Sequence, residues 1–309
     1  MPLFAQTLAP SSADGPLALS RVRATYLWSH GRLPDMIHAP RFTELVQRRK
    51  LFDRDPRQVT RMDKVAAKRL AARLLGPEWV TPTLWQSDAL PVTPPFAFPV
   101  ILKAGHGCNQ YAALHRPPSS RKWAALHRRT RQWMSGPYGK WLDEWAYRDV
   151  PRALIAEPFL GDGHTLPLDY KIYVFGGRAT HVQVHLGRDG RHRWVLYDRG
   201  FKPLHVAHDR PALPRSLNAM LAAAETLAAD FDFLRVDFYE IEGAPRFGEF
   251  CLYPGSGLDR FPAEWIDFEL GTLWREALGA VRASQTKSLI RDGTLELEQR
   301  FSPDLQGVG

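Results

Sequence analysis

The sequence predicts an α+β protein in which helices come first and short strands dominate the rest. Apolar residues recur at helical spacing up to about residue 80, most clearly over Val59–Leu75. Between residues 152 and 198, apolar and polar residues alternate and glycine turns separate the runs, which predicts an antiparallel meander. A further pair of alternating runs over 233–257 predicts a β-hairpin. These patterns indicate a helical N-terminal region followed by a part of the chain that mixes strands and helices, with a length that suits one large or two ordinary domains.

The N-terminal region contains three predicted helices. They span Leu19–Trp28, Arg41–Phe52 and Val59–Leu75, and Gly76-Pro77 ends the last one. Residues 1–20 are rich in Ala, Pro and Ser without periodicity, which predicts a disordered lead.

Strands and helices follow after residue 80. A strand over Phe98–Lys103 leads into a loop at Ala104–Asn109, and Ser119 to about Arg148 is predicted to be helical and basic. The other predicted elements are strands at Thr83–Trp85, Arg152–Leu160, Leu168–Phe175, Ala179–Leu186 and Trp194–Asp198, turns at Gly161–His164 and Gly187–Gly190, and helices at Ser216–Asp230 and Ala263–Ala283. The predicted division is a lead over 1–20, a helical region over 21–80, a small subdomain over 81–160, a large subdomain over 161–285 and a polar tail over 286–309.

Composition and charge indicate a globular protein with an anionic partner. The chain has 309 residues, of which 44% are hydrophobic and 24% are charged, enough for a full core. It shows no signal-peptide pattern and no run of some 18 apolar residues, and Cys108 and Cys251 make no disulfide framework. A cytoplasmic location without a membrane span is therefore predicted. The net charge of +8 leaves nucleic acid, an acidic polysaccharide, a nucleotide and an anionic membrane surface open as partners.

Much of the positive charge lies in one stretch, Arg116–Arg131, which is interleaved with aromatic residues. Trp123 and Trp133 could stack on bases of a single-stranded nucleic acid while the arginines contact its phosphates. A solvated basic helix with both tryptophans turned to the core is the favoured interpretation, because that is the usual role of such a stretch. Nucleic acid is accordingly not the expected partner.

The hairpin over 233–257 carries a candidate metal site. The period of two predicts that one strand presents Arg235, Asp237 and Tyr239 on one face and the other strand presents Phe247, Glu249 and Cys251. If these faces coincide, Asp237 and Glu249 repel each other unless a divalent cation lies between them. The alternative is a half-exposed hairpin whose charges face water, and these residues alone leave both interpretations open.

Other motifs are less specific. Lys103 ends a strand before a glycine-containing loop, which is one way to place an ammonium and backbone N–H groups around phosphates. The P-loop and dinucleotide-binding patterns are both missing. His181 and His185 are too far apart along a strand to share one metal ion, and Cys251 is expected to be a packed residue rather than a nucleophile.

An ordered series of motifs resembles the ATP-grasp superfamily. The series is Asp63-Lys64 opening a helix, Lys103 before a glycine loop, Ala156-Glu157-Pro-Phe-Leu160 ending a strand, and Arg235-x-Asp237 with Glu249 before Pro254-Gly-Ser-Gly257. The TupA-like branch is the most similar, through Leu51-Phe-Asp-Arg-Asp-Pro56, Asp169-Tyr-Lys-Ile-Tyr173 and Gly248-Glu-Phe-Cys-Leu-Tyr-Pro-Gly-Ser-Gly257. The resemblance runs from about Arg32 to about Trp274, and the order of the motifs is more specific than any one of them.

The resemblance implies a fold that clamps ATP between two α+β subdomains, and it implies roles for the matching residues. The implied nucleotide-binding residues are Lys64 and Lys103 at the phosphates, Gly105, His106 and Gly107 as a flexible loop over them, Glu157, Phe159 and Leu160 as the hinge that reads adenine, and Asp169 near the ribose with Lys171 on the same strand. Arg235 and Lys103 are the implied catalytic residues, and Asp237 and Glu249 are the implied Mg²⁺ ligands. Cations around the phosphates suit phosphoryl transfer, which needs charge stabilisation more than a covalent protein group.

The function implied by the resemblance is that of an ATP-dependent carboxylate–amine ligase acting through an acyl phosphate. Its acceptors would be an acidic substrate, such as a uronic-acid sugar or polymer of the cell surface, and an amine. Two departures keep a binding protein without turnover open as the alternative. Cys251 stands where the family usually has an oxygen-bearing residue, and the loop at Cys108-Asn-Gln110 is shorter than the glycine-rich loop of the branch.

Overall fold

The computed structural model describes residues 15–161, 165–187, 190 and 192–280. Several predicted features lie outside these residues: most of the lead over 1–20, the central residues of the turns at 161–164 and 187–190, the end of the closing helix beyond 280, and the polar tail. The predicted lead is too long, because the first helix, α1, already begins at Gly15.

The N-terminal region is built from four helices rather than three. Helices α1 (Gly15–His30) and α2 (Phe42–Phe52) match the predicted elements, whereas the predicted helix over Val59–Leu75 is divided into α3 (Arg57–Met62) and α4 (Lys64–Leu75). Asp63 causes the break, since its backbone is extended and its side chain accepts a hydrogen bond from the Val65 N–H. This cap makes Lys64 the first residue of α4.

The first sheet contains four antiparallel strands in the order β1-β4-β2-β3. Its strands are β1 (Trp85–Ser87), β2 (Val100–Ala104), β3 (Tyr111–Leu114) and β4 (Leu154–Pro158). Helix α5 (Ser120–Met134) covers it, and Trp123 and Trp133 are buried with the apolar residues of β2 and β4. The interpretation that both tryptophans face the core is confirmed, so neither ring is free to stack on a base.

Helix α5 ends well before Arg148, where the basic helical stretch was predicted to end. Gly136-Pro137 follows it, and Pro cannot continue a helix that needs its N–H. The chain then runs through two short 3₁₀ turns, Lys140–Leu142 and Trp145–Tyr147. We call residues 135–148 the wall segment.

The second sheet contains five antiparallel strands in the order β7-β6-β5-β8-β9. Its strands are β5 (Asp169–Phe175), β6 (Arg178–Leu186), β7 (Arg193–Asp198), β8 (Phe233–Ile241) and β9 (Ala244–Cys251). Helix α6 (Leu217–Ala228) packs on β5, β6 and β8, and the final described helix, α7, covers 264–280. One hydrophobic core joins this sheet to α2, α4, α6 and α7, so the N-terminal helices are built into it.

The β8–β9 hairpin differs from its predicted form in two places. Its turn is the two-residue Glu242-Gly243, with φ of 54° and 79°, as a tight hairpin turn requires. A β-bulge places Gly248 opposite no residue of β8, because Asp237 pairs with Glu249 and Phe238 with Phe247. Phe247 therefore packs in the core, and the prediction that it shares a face with Glu249 is wrong.

Among the described helices, none combines the length and the apolar character needed to cross a membrane.

Candidate active site

Three strands of the second sheet bring the predicted charged residues into two adjacent rows. Lys171 of β5 lies opposite Asp237 of β8, which in turn lies opposite Glu249 of β9. In the next row Tyr173 lies opposite Arg235, which lies opposite Cys251. The prediction that Asp237 and Glu249 face each other is confirmed.

Lysine and arginine side chains compensate both carboxylates. Asp237 accepts hydrogen bonds from Lys171 at 2.5 Å and from the Arg235 guanidinium at 2.7 and 2.8 Å. Glu249 accepts one from Lys64. Burial disfavours the ionised form of Glu249, but the attraction of Lys64 outweighs it and holds its pKa below the usual range. The argument that the two carboxylates repel each other without a divalent cation is therefore wrong, because the protein's own cations lie beside them.

Two of these charged side chains are also shielded from solvent, whereas Glu249 is half-buried. Asp237 is 1% exposed and Arg235 is 7% exposed. The alternative interpretation, in which the hairpin's charges face water, is wrong. Desolvation lowers the pKa of Arg235, yet Asp237 more than offsets it, so this pKa is raised well above its ordinary value. Arg235 stays cationic and fixed in place.

A second charged cluster joins α4 to the first sheet. Glu157 of β4 accepts a 2.6 Å hydrogen bond from Lys103 of β2 and another of 2.6 Å from Lys68 of α4. Burial opposes ionisation of Glu157, but the two ammonium groups prevail and lower its pKa to about 2. Lys68 was not predicted as a site residue, although its spacing of four from Lys64 places both on one helical face.

The two clusters face each other across a narrow cavity of about 110 Å³, which we call the lysine cleft. It is lined by charged side chains from both clusters and by the loop after β2, namely Lys64, Lys68, Lys103, Glu157, Glu249 and residues 107–111. A smaller cavity of about 30 Å³ shares Lys103 and Glu157 and is lined also by Leu160 and Leu166. The predicted Lys64, Lys103, Glu157 and Leu160 thus lie around two adjoining cavities.

Of the three loop residues predicted to cover the phosphates, only Gly107 lines the lysine cleft. Gly105 donates its N–H to Ala153 and its carbonyl accepts from Lys64, so its backbone is fixed. His106 is fully buried and its ring bonds to the backbone of Trp133 and Ala153. Its side chain is a structural anchor and does not reach the cleft, so its predicted role in a flexible loop is wrong. Gly107 does line the cleft.

Three other predicted nucleotide-binding residues do not line the lysine cleft. The Phe159 N–H donates to the Pro99 carbonyl, so it is not free to read an adenine edge. Asp169 contacts Lys171 at 2.6 Å and lines a separate cavity rather than the cleft, so its place near the ribose stays a prediction. Lys171 lines the same separate cavity and links Asp169 to Asp237.

This separate cavity, which we call the chamber, has a volume of about 550 Å³. Its floor includes Lys171, Arg235 and Cys251 of the second sheet, and the wall segment lies along one side. Aromatic rings line much of it: Phe42, Tyr111, Tyr138, Trp141, Tyr147, Tyr173, Trp194, Tyr253 and Phe261. Sequence reasoning did not identify the chamber, because its residues come from segments far apart in the chain.

The lysine cleft and the chamber meet at a short boundary. Cys108, Asn109, Tyr111 and Glu249 line both cavities. Burial raises the pKa of the Cys108 thiol to about 11 and that of Cys251 to about 12, so both thiols are protonated at neutral pH. Neither cysteine has the properties of a nucleophile, in line with the expected packing role of Cys251.

Two sheets that close on a lysine-lined cleft, with an acidic pair on the second sheet, define an ATP-grasp protein. The sequence profile described as TupA-like ATPgrasp matches residues 44–275. The chain belongs to the TupA-like ATP-grasp family, and the predicted family and fold are confirmed.

Solved structures similar to the chain are ATP-grasp ligases. D-alanine–D-alanine ligase from Bacillus anthracis has 14% sequence identity and a TM-score of 0.42, with 72% of this chain and 69% of that chain covered. L-amino acid ligase from Bacillus licheniformis has 13% identity and a TM-score of 0.44, with 71% and 48% covered, so the chain spans about half of its length. No curated protein sequence matches the chain.

Proposed function

We propose that the chain is an ATP-dependent carboxylate–amine ligase that binds ATP in the lysine cleft and its other substrates in the chamber. The observation that carries the proposal is the meeting of the two cavities at Glu249, beside Lys64. Phosphoryl transfer requires the nucleotide and the acceptor to lie on opposite sides of the transferred phosphoryl group, with cations around that group. Lys64, Lys171 and Arg235 provide those cations.

The nucleotide's phosphates would contact Lys64, Lys68 and Lys103. Glu157 orients Lys68 and Lys103 by holding one ammonium on each of its oxygens. The small cavity next to Leu160 and Leu166 is where the adenine would enter. Because the lysine cleft is much smaller than the roughly 300–1,000 Å³ of ligand pockets, ATP entry requires the two sheets to separate.

The donor set at the second sheet fits Mg²⁺. Asp237 and Glu249 offer carboxylate oxygens from directly opposed residues. Among the described residues, no group of three or more His, Cys, Asp and Glu side chains is arranged to hold a metal. Two carboxylates are nonetheless a common protein contribution to a Mg²⁺ site, since substrate phosphates and water complete it. Bound Mg²⁺ would neutralise charge on the phosphates, while Lys64 exchanges its Glu249 partner for a phosphate oxygen.

In the proposed reaction, a carboxylate oxygen of the substrate attacks the γ-phosphorus of ATP, and the bond to the ADP oxygen breaks. Arg235 and Lys171, fixed by Asp237, stabilise the negative charge on the transferred group. The amine nitrogen then attacks the acyl carbon, and the C–O bond to phosphate breaks. The amide, ADP, phosphate and the proton from the amine are the products.

An acidic glycan of the cell surface is the proposed carboxylate substrate. The TupA-like resemblance supports a uronic-acid sugar or a peptide-bearing polymer, and the net charge of +8 suits a polyanion. The chamber adds a physical reason, because rings such as Trp194 and Phe261 can pack against the apolar face of a sugar. A cytoplasmic location remains part of this proposal.

A nucleotide-binding protein without ligase turnover is the second candidate. Cys251, opposite Arg235, favours it, because a thiol is a poor ligand for Mg²⁺ where the family usually supplies an oxygen. The two candidates predict the same ATP binding and different product formation.

One assay separates them. The purified protein is incubated with ATP, Mg²⁺, galacturonic and glucuronic acids and a mixture of amino acids, and ADP and phosphate release are measured. Hydroxylamine is added in parallel, because it converts an acyl phosphate into a stable hydroxamate. Lys103→Ala is the inactive control, and Lys122→Ala on the exposed face of α5 is the matched surface control.

Release of ADP together with hydroxamate supports the ligase. ATP binding without ADP release from any acid favours the binding protein. ATP binding that is unchanged in Lys103→Ala contradicts the assignment of the lysine cleft to the nucleotide.

A further inference from the structure

Glu144 lies between the two 3₁₀ turns of the wall segment and faces the chamber. Gly139 packs closely against Glu144. Its φ is 70°, and a Cβ at this position would lie 3.0 Å from both Cβ and Oε2 of Glu144. The side chain of Glu144 is therefore held in place by backbone that only glycine suits.

Glu144 is 6% exposed, and no described Lys, Arg or His side chain forms an ion pair with it. Lys50, the cation whose charge acts on Glu144, is 2% exposed and donates instead to Gln47 Oε1 at 3.1 Å and the Ser256 carbonyl at 2.6 Å. A buried carboxylate without a direct counter-ion is costly unless a ligand supplies one. The open side of Glu144 is the chamber.

Three tyrosines line the chamber together with this carboxylate. Tyr138 and Tyr147 of the wall segment contact each other edge to face at 4.9 Å, and Tyr253 after β9 is also within electrostatic reach of Glu144. All three line the chamber. A substituted ammonium is bound by aromatic rings and a carboxylate that line one site, and the chamber supplies both.

We propose that Glu144 and the rings of Tyr138, Tyr147 and Tyr253 form the subsite for the amine substrate, which they bind as an ammonium ion. This inference rests on the proposed ligase function. Glu144 accepts the proton that the ammonium loses, so the amine becomes a nucleophile where it is bound.

The charges that line the chamber separate a cationic region from the anionic Glu144. Lys171 and Arg235 on its floor suit a carboxylate and a phosphoryl group, whereas Glu144 suits a cation. Cys108, at the boundary with the lysine cleft, is within electrostatic reach of Glu144, Glu249, Lys64 and Lys171. The amine subsite is therefore close to the point where the two cavities meet.

The titratable groups that face Glu144 come from four parts of the fold: Lys50 of α2, Cys108 after β2, Tyr138 and Tyr147 of the wall segment, and Tyr253 after β9. Burial raises the pKa of Glu144 and lowers that of Lys50. Burial also raises the pKa of the thiol and of each phenol, which stay neutral. Ammonium binding is thus expected to strengthen as pH rises towards neutrality and Glu144 ionises.

The test uses propylammonium as the probe and propanol as its uncharged analogue, with binding measured by titration calorimetry. Glu144→Gln keeps the shape and removes the charge, and Glu78→Gln on an exposed 3₁₀ turn is the matched control. We expect propylammonium to bind at least about tenfold more weakly to Glu144→Gln than to the wild type, with propanol unaffected. Equal propylammonium binding by both proteins overturns the proposal.

A second measurement needs no variant. Dicyclohexylcarbodiimide reacts with protonated carboxyl groups in apolar sites, and peptide mass spectrometry locates the label. Propylammonium is expected to slow labelling of Glu144 in the wild type, and unchanged labelling overturns the proposal. ADP release is assayed on the same samples. If turnover is normal but propylammonium binding does not depend on Glu144, only the proposed amine subsite is overturned. If propylammonium binds through Glu144 but no turnover occurs, only the proposed ligase activity is overturned.

Discussion

The ammonium of Lys171 donates a 2.5 Å hydrogen bond to Oδ2 of Asp237, the residue directly opposite it on the neighbouring strand. The same ammonium contacts Asp169 at 2.6 Å. Both carboxylates raise the pKa of Lys171 against the opposing effect of burial, so it remains charged beneath the chamber. One lysine therefore serves as counter-ion to the proposed metal ligand and faces the proposed acceptor.

Replacing Lys171 by Met is expected to damage both stability and turnover. The substitution leaves two buried carboxylates without this counter-ion, which costs about 3–5 kcal/mol in the free energy of unfolding. ADP release falls by at least about 100-fold. Chemical denaturation and the ADP assay measure the two effects, and Lys202→Met on the exposed surface is the control. Adding Asp169→Asn should restore part of the stability and none of the turnover; restored turnover would contradict the catalytic role.

Lys68→Ala is expected to weaken ATP binding as Lys103→Ala does, by about tenfold or more, because both ammonium groups share Glu157 and line the lysine cleft. A fluorescent ATP analogue measures the affinity, with Lys122→Ala as the surface control. A loss in Lys103→Ala alone would show that Lys68 only positions Glu157.

Much of this site is predictable from the sequence because strand periodicity fixes which residues share a face. Periodicity predicts that Asp237 and Glu249 lie opposite each other, as they do. The ATP-grasp motifs predict that Lys64, Lys103 and Glu157 belong to the same site, and all three line the lysine cleft with Glu249. What sequence periodicity does not encode is tertiary pairing. The contact of Lys68 with Glu157 joins residues 89 positions apart.

Single residues also overrode the periodic patterns. Asp63 caps a new helix within an otherwise continuous apolar stripe, and the bulge at Gly248 turns Phe247 into the core. His106 stands in a glycine-containing loop, which indicates mobility, yet backbone groups from two other segments fix its ring. The sequence does not predict the chamber or the position of Glu144, because its pattern predicts that the wall segment continues helix α5.

Acid is expected to remove the stabilisation provided by Glu157. Its folded pKa of about 2 lies below the ordinary value of 4.5, so its contribution is present above that ordinary value and is lost as pH falls through the folded pKa. The shift corresponds to roughly 3 kcal/mol for this buried group. The difference in unfolding free energy between the wild type and Glu157→Gln should therefore shrink as the pH is lowered. A pH-independent difference would show that the lysines do not hold Glu157 ionised.

Cys251→Asn is expected to lower the Mg²⁺ concentration needed for half-maximal ADP release by about threefold to tenfold, since an amide oxygen is a harder ligand than a thiol. Residue 251 lies opposite Arg235, in the row next to Asp237 and Glu249. Cys251→Ala controls for the loss of the thiol and should not have this effect. An unchanged Mg²⁺ requirement in Cys251→Asn would place residue 251 outside the metal's reach.

The position of the wall segment is expected to set the apparent affinity for the amine. Arg21 of α1 holds this segment through two hydrogen bonds to Asp143, the residue before Glu144, and Asp143 has a φ of 58° that such support stabilises. In Arg21→Ala, KM for the amine should rise by about tenfold while KM for ATP stays unchanged, because the lysine cleft is lined by other segments. Arg23→Ala, also exposed on α1, is the matched control. An equal rise in both KM values would indicate general loosening of the fold, and no change in either would show that Glu144 is held by Gly139 and its aromatic neighbours alone.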